Sequence, residues 1–262
     1  MNRTTAYKSY YLKLTSKALY GLSLLSCVTT ANAEATRDIP ENIMVAAFSR
    51  MDLTDITPTG WKPMHFDSIE NKTAYFLSRD DNKIVIQAVS HASASAYYKK
   101  TNISPNKHPI LTWHWKVSNT LKKGNINSKD GDDYAARIYI SFDYDPDRLS
   151  GMESIKYKLY TLTHDEPPPL AVINYVWANQ APVDTIVSNV YNPRVKMIVV
   201  QTGDTKTGHW QLEKRNILED YIRAFGETPG NISGIAIMTD TDNTGESATA
   251  FYGDIQFQAD KR

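Results

Sequence analysis

An all-β fold, a jelly-roll-like β-sandwich with one or two short helices, is predicted by three observations. Short stretches rich in Val, Ile, Thr, Tyr and Trp alternate apolar with polar, and turns containing Gly, Pro, Asn and Asp separate them. The stretches are also too numerous and too similar in length for one open sheet. In chain order they are 43–48, 73–78, 83–89, 93–98, 110–117, 134–142, 171–178, 195–201, 210–215, 232–238 and 249–257. Strand parity assigns their faces. In the fifth stretch Leu111, Trp113, Trp115 and Val117 point into a core, while Thr112, His114 and Lys116 point away. In the sixth, Tyr134, Ala136, Ile138, Ile140 and Phe142 form the apolar face. Arg137, Tyr139, Ser141 and Asp143 form the other, with Asp133 in register just before them.

Two segments depart from the β pattern. Residues 148–162 place Met152, Ile155, Leu159 and Leu162 on one helical face before Pro167, Pro168 and Pro169 end it. Residues 216–225 carry a fuller signature, with Asn216 as N-cap, Glu219 at the capping-box position and Gly226 as the stop.

The N-terminus reads as a cleavable signal peptide over residues 1–33. Arg3, Lys8, Lys13 and Lys17 precede the apolar run 18–28, which is shorter than the roughly 20 residues of a membrane-spanning helix, and Ala31-Asn32-Ala33 closes the segment. The expected product is one β-sandwich domain, 34–262, without a transmembrane segment. It would be periplasmic, with two alternatives: secretion, or an outer-membrane lipoprotein acylated at Cys27, for which Leu25 fits the signal poorly. Removing four basic and no acidic residues leaves 25 basic against 29 acidic, a formal charge of −4. With no basic stripe, nucleic acid is a poor partner. The single cysteine leaves with the segment, so disulfides, thiolate metal sites and cysteine nucleophiles are excluded from the cleaved product.

Several longer motifs run in order: Trp-His-Trp at 113–115, Gly-Asp-Asp-Tyr-Ala-Ala-Arg-Ile-Tyr from Gly131, Tyr-Val-Trp-Ala from Tyr175, Arg-Asn-Ile-Leu-Glu-Asp-Tyr-Ile-Arg-Ala-Phe-Gly from Arg215 and Met-Thr-Asp-Thr-Asp-Asn-Thr-Gly from Met238. By these the chain resembles a bacterial exported family catalogued as domain of unknown function 3047, over about 48–257. The resemblance implies one exported domain and brings no residue-level chemistry.

No Gly-x-Ser-x-Gly elbow, His-Glu-x-x-His pair, phosphate loop or dinucleotide fingerprint is present. The six histidines lack metal-ligand spacing, and His114, between two core tryptophans, is the one singled out. Asp240-Thr241-Asp242-Asn243-Thr244-Gly245 resembles the opening of a calcium loop, but the twelfth position of an EF-hand is here Phe251. Two readings stay open: a structural calcium held by Asp240, Asp242 and the distant Asp254, or a turn whose Asp and Asn side chains cap backbone donors. Asp130, Asp132 and Asp133 admit the same pair.

The expected function is that of an exported, non-catalytic ligand-binding module, with carbohydrate as the leading ligand. Asp133 and Arg137 would bond sugar hydroxyls, Tyr139 would stack, and His114 and Asp254 would complete the site. Against this stands a plain solvated sheet face with cross-strand ion pairs. One alternative function is a glycan-directed hydrolase using paired carboxylates from Asp133, Asp143 and Asp254. Another is an envelope protein that docks a protein partner.

Overall fold

In the computed structural model, which describes residues 41–260 apart from 56, 150 and 164–168, alternation does fold as strands. In chain order they are β1 (Asn42–Ala46), β2 (Trp61–Met64), β3 (Ala74–Asp80), β4 (Lys83–His91), β5 (Ala94–Ile103), β6 (Ile110–Val117) and β7 (Arg137–Phe142). Helix α1 (Gly151–Thr163) follows, then β8 (Val172–Ala178), β9 (Ile186–Ser188), β10 (Val195–Thr202) and β11 (Gln211–Asn216). Helix α2 (Ile217–Phe225), β12 (Ile232–Asp240) and β13 (Ser247–Gln258) complete the set.

Two sheets result, ordered β11-β6-β13-β4-β3 and β2-β5-β12-β7-β8-β10-β9. The long β13 takes β6 along one edge and is shared along the other, by β4 at Ser247–Tyr252 and by β1 at Ile255–Gln258. Between those partners the register slips, so Tyr252 and Ile255 are both fully buried with Gly253 and Asp254 between them. That is a bulge, and it resets the parity of the strand. In the second sheet β10 runs parallel to β8 because the edge strand β9 intervenes in the chain and pairs antiparallel with β10.

The sheets bury the faces that parity assigns. Leu111, Trp113, Trp115 and Val117 of the first sheet and Ile138, Ile140, Ile173 and Tyr175 of the second are all 0 % exposed. Rings interlock across the interface, with Trp113 5.2 Å from Tyr175 and Trp115 6.0 Å from Trp177 between centroids. Burying large aromatic side chains from both sheets is the main source of cohesion in a domain that lacks cross-links.

Three expectations need correction. First, the outer face of β7 is not solvated. Phe66 and Ile69 pack with Ala94, Ala96, Met238 and Tyr139 over one flank of the second sheet. Ile126 and Tyr134 pack with Val176, Met197 and Val199 over the other. Arg137 therefore lies at 2 % exposure between two loop layers. Second, β2 and β9 escape the alternation pattern. They are the two edge strands of the second sheet, one interrupted by Pro63 and one three residues long. Third, the apolar stripe of α1 is not a core face at its start, since Met152 and Ile155 are 63 % and 61 % exposed. Helix α2 follows its sequence signature: Asn216 Oδ1 accepts from Glu219 N at 3.2 Å, and Gly226 closes it at φ 76°. The signal-peptide reading of 1–33, with Cys27, lies outside the described residues. Among the described residues no helix is long and apolar enough to cross a membrane.

Candidate functional site

Strand β7 carries a chemically distinct region at each end. At its start, residues 132–134 turn into the strand beside the β12–β13 connection. Arg137 reaches from β7 to the end of β12, where its Nε donates to Asp240 Oδ1 at 2.8 Å and its second terminal nitrogen to Asp240 Oδ2 and the Asp132 carbonyl. Nη1 donates to the Tyr139 hydroxyl at 3.1 Å, and the guanidinium lies 4.3 Å from the Tyr134 ring centroid. Asp133 accepts from Asn243 Nδ2 at 3.1 Å and Thr244 N at 2.6 Å, which ties the turn after β12 to the approach to β7.

Burial sets the protonation behaviour of this end. It pushes the Asp240 carboxyl up to about 8 despite the opposing pull of Arg137, with Asp133 and Asp132 adding repulsion. Asp242 is raised by burial and then by Asp133. Oxygens of Asp133, Asp240 and Asp242 lie within 4.8 Å of one another, so these are the residues that could hold a hard cation.

At the other end β7 runs into 143–149, and here the surface opens. A cavity of about 560 Å³ is lined by Asp143, Tyr144, Asp145, Arg148, Tyr221 and Thr228, together with Pro229 and Gly230. That volume is in the range of small-molecule sites. Gly230 permits its shape, because a Cβ there would stand 2.4 Å from the Asp143 carbonyl oxygen. Tyr221 of α2 packs edge-on to Phe142 at 4.6 Å and stacks on Phe225 at 4.4 Å. Burial, then Glu227 and Tyr144, push its phenol up to about 12, so it stays a neutral hydroxyl. The Arg148 and Arg194 guanidinium groups lie 5.1 and 5.0 Å from the Tyr144 ring. Arg194 is anchored by Glu153 at 2.7 Å and Arg148 by Glu227. Asp143 and Asp145 are exposed on the rim. The pocket thus offers the carboxylates of Asp143 and Asp145, the guanidinium of Arg148 and the phenols of Tyr144 and Tyr221.

Comparison with known proteins bears on lineage. The family model described as a protein of unknown function, DUF3047, matches residues 59–256. The chain belongs to this family. A search of curated proteins finds no match for this DUF3047 chain. Among solved structures it is similar to the glycoside hydrolase domain of Endo-D (Spr0440) from Streptococcus pneumoniae R6, with TM-score 0.30, 7 % identity, and coverage of 77 % of this chain and 22 % of that one. It is also similar to a loop-swap mutant of Necallimastix patriciarum Xyn11A, with TM-score 0.29, 7 % identity, and coverage of 76 % and 92 %. The DUF3047 chain thus spans about a fifth of the Endo-D chain. Neither likeness bears on what it binds.

The sequence-predicted site residues of this DUF3047 protein fall in different places. Asp133, Arg137 and Tyr139 meet at the start of β7, with Asp240 and Asp242. His114 is exposed on β6 of the first sheet, beside Gly253, and its pKa is lowered by partial burial and by Lys83 against the pull of Asp254. Asp254 sits in the β13 bulge and accepts from Ser49 N at 2.9 Å and Ser49 Oγ at 2.5 Å. It is not among the clustered carboxylates; Asp133 takes that place. Tyr144, Asp145, Arg148, Tyr221 and Thr228 were not legible as site residues. They come from a connection, a helix and a loop with no shared spacing, and only Asp143 of the pocket is marked by strand parity.

Proposed function

We propose that this DUF3047 protein is an exported, non-catalytic carbohydrate-binding module, and that its ligand occupies the pocket at the end of β7. The observation that carries this reading is the pocket itself: about 560 Å³, open, and lined by acceptors and donors of both charges around phenolic rings. A neutral polyhydroxyl ligand matches such a lining, since each hydroxyl both donates and accepts and no net charge has to be neutralised. Arg148, paired with Glu227, is the lining residue that supplies the guanidinium donors. Export, to the periplasm or beyond, is part of the proposal and is supported by the basic, apolar and Ala-x-Ala order of residues 1–33.

Hydrolysis by the carboxylates singled out in the sequence, Asp133, Asp143 and Asp254, loses its support from their placement. Asp133 and Asp143 stand at opposite ends of β7, and Asp254 is on the other sheet, so the three do not flank one bond. A glycan array screened with the protein, followed by product analysis of each retained glycan, tests the reading. Retention without cleavage is the expected result. Cleavage would transfer the pocket to a hydrolase, and silence across the array would remove carbohydrate as the ligand.

A further inference from the structure

A second cavity lies away from β7, where the chain crosses from β1 to β2. Its volume is about 370 Å³, within the range of small-molecule sites. Its wall combines β1 and the short helical turn Phe48–Arg50 with the connection into β2 and with Lys99 of β5. Three of the lining side chains are donors. Lys99 Nζ donates to the Val45 carbonyl at 3.0 Å, and an ammonium has three hydrogens to give. Its stem passes over Gly60, at φ 79°, where a Cβ would stand 3.2 Å from Lys99 Cε. Arg50 is exposed at the mouth, and among the described residues neither cation has a carboxylate partner.

The third donor is an independent sign of a ligand. Trp61 is 4 % exposed, packed on Tyr97 at 6.2 Å and on Phe48 at 5.5 Å between ring centroids, yet no described residue accepts from its indole N–H. A tryptophan buried to this degree ordinarily finds an acceptor for that group. Asp55 is the one carboxylate in the lining, and its Oδ2 accepts from Asp52 N at 2.9 Å. Asp52 itself is turned to Thr54 N and Oγ1, and Asp254 to Ser49, and neither lines the cavity. The lining therefore carries two positive charges against one negative. The rest of the wall includes Met44, Met51 and Pro58, which offer apolar surface.

We infer that this cavity binds a small organic monocarboxylate, with the carboxylate on Lys99, Arg50 and the Trp61 N–H and the apolar body against Met44, Met51 and Pro58. One negative charge brings the lining to balance, whereas a phosphate dianion would overshoot it and leave the apolar wall unused. A carboxylate has acceptor capacity for all three donors, and the two charged ones give it its strongest bonds. The indole N–H then gains the acceptor that the protein does not supply. The inference is independent of the carbohydrate pocket, which shares no lining residue with this cavity.

The test titrates isotope-labelled protein with benzoate and follows the indole N–H resonance of Trp61, assigned by its loss in Trp61→Phe. A saturable shift with a dissociation constant of about 1 mM or below is expected. Benzamide, the neutral isostere, should bind about tenfold or more weakly, as should benzoate to Lys99→Met and to Arg50→Gln. Arg50 is exposed, so Arg50→Gln keeps the test open if Lys99→Met does not fold. Lys214→Met, which removes a positive charge from exposed β11, should leave affinity unchanged. An unmoved resonance at about 10 mM benzoate would overturn the inference. So would equal affinity for benzamide, unchanged affinity in either folded variant, or tighter binding of inorganic phosphate than of benzoate.

Discussion

Glu213 shows how a single buried group tunes this protein. On β11 it is 8 % exposed, and its Oε1 accepts from Trp115 Nε1 at 3.1 Å and Gln201 Nε2 at 2.7 Å, joining β11 and β6 of the first sheet to β10 of the second. Burial raises its carboxyl above the ordinary 4.5, and the bonds from Gln201 and Trp115 only partly offset this. Its folded pKa thus lies above its unfolded one. The stability it contributes is full below about the unfolded value and is lost as pH rises through the folded pKa. Glu213→Gln keeps an acceptor for both donors and should flatten that decline, with a melting point at neutral pH equal to or above the wild type. Glu213→Ala strands a buried indole N–H and should cost roughly 1–3 kcal/mol. Thermal melts between pH 4 and 8 check both. At this scale the sequence is informative about direction and silent about depth. Parity places Arg137 and Tyr139 on the outer face of β7, but one of the segments that cover this face lies far off in the chain, at 66–69, and the other, at 126–134, precedes the strand without any alternation that marks it as a covering layer. A pattern with a period of two cannot register a third layer.

Helices and strands were legible where local chemistry closes on itself. The Asn216 to Gly226 segment needs only its own residues to start and stop. Removing the cap by Asn216→Ala, which loses the bond to Glu219 N and the contact between Asn216 Nδ2 and Glu219 Oε1 at 2.8 Å, should destabilise the protein by about 1 kcal/mol in chemical denaturation. Because α2 also carries Asp220, whose carboxylate binds Arg215 at 2.7 Å and the Tyr175 hydroxyl at 2.8 Å, fraying it should loosen the β11 edge as well. Hydrogen exchange at Lys214 and Arg215 would report that loss. Strands β2 and β9 were not legible, because an edge strand uses one hydrogen-bonding side and buries little, so alternation has nothing to enforce it. The pocket was illegible for a related reason. Its residues belong to the β7–α1 connection, α2 and the 228–230 loop, whose proximity is a property of the assembled sandwich.

On the scale of the molecule, the described residues from 41 to 260 cluster as one compact unit whose two sheets bury their aromatic faces against each other. The core is the part of the chain most fully readable in advance, since Trp113 and Trp115 alternate with polar residues over the cleanest strand of all. What that core supports is a division along β7, with a closed acidic end that organises loops and an open mixed-charge end that faces solvent. Binding at the open end is the central claim. It is tested most directly by titrating an oligosaccharide retained by the wild type into Asp143→Asn and Tyr144→Ala, with Asp254→Asn as the control. A loss of about tenfold or more in affinity for the first two, with the control unchanged, is the predicted result. Equal affinity in all three would place the ligand elsewhere and contradict the account.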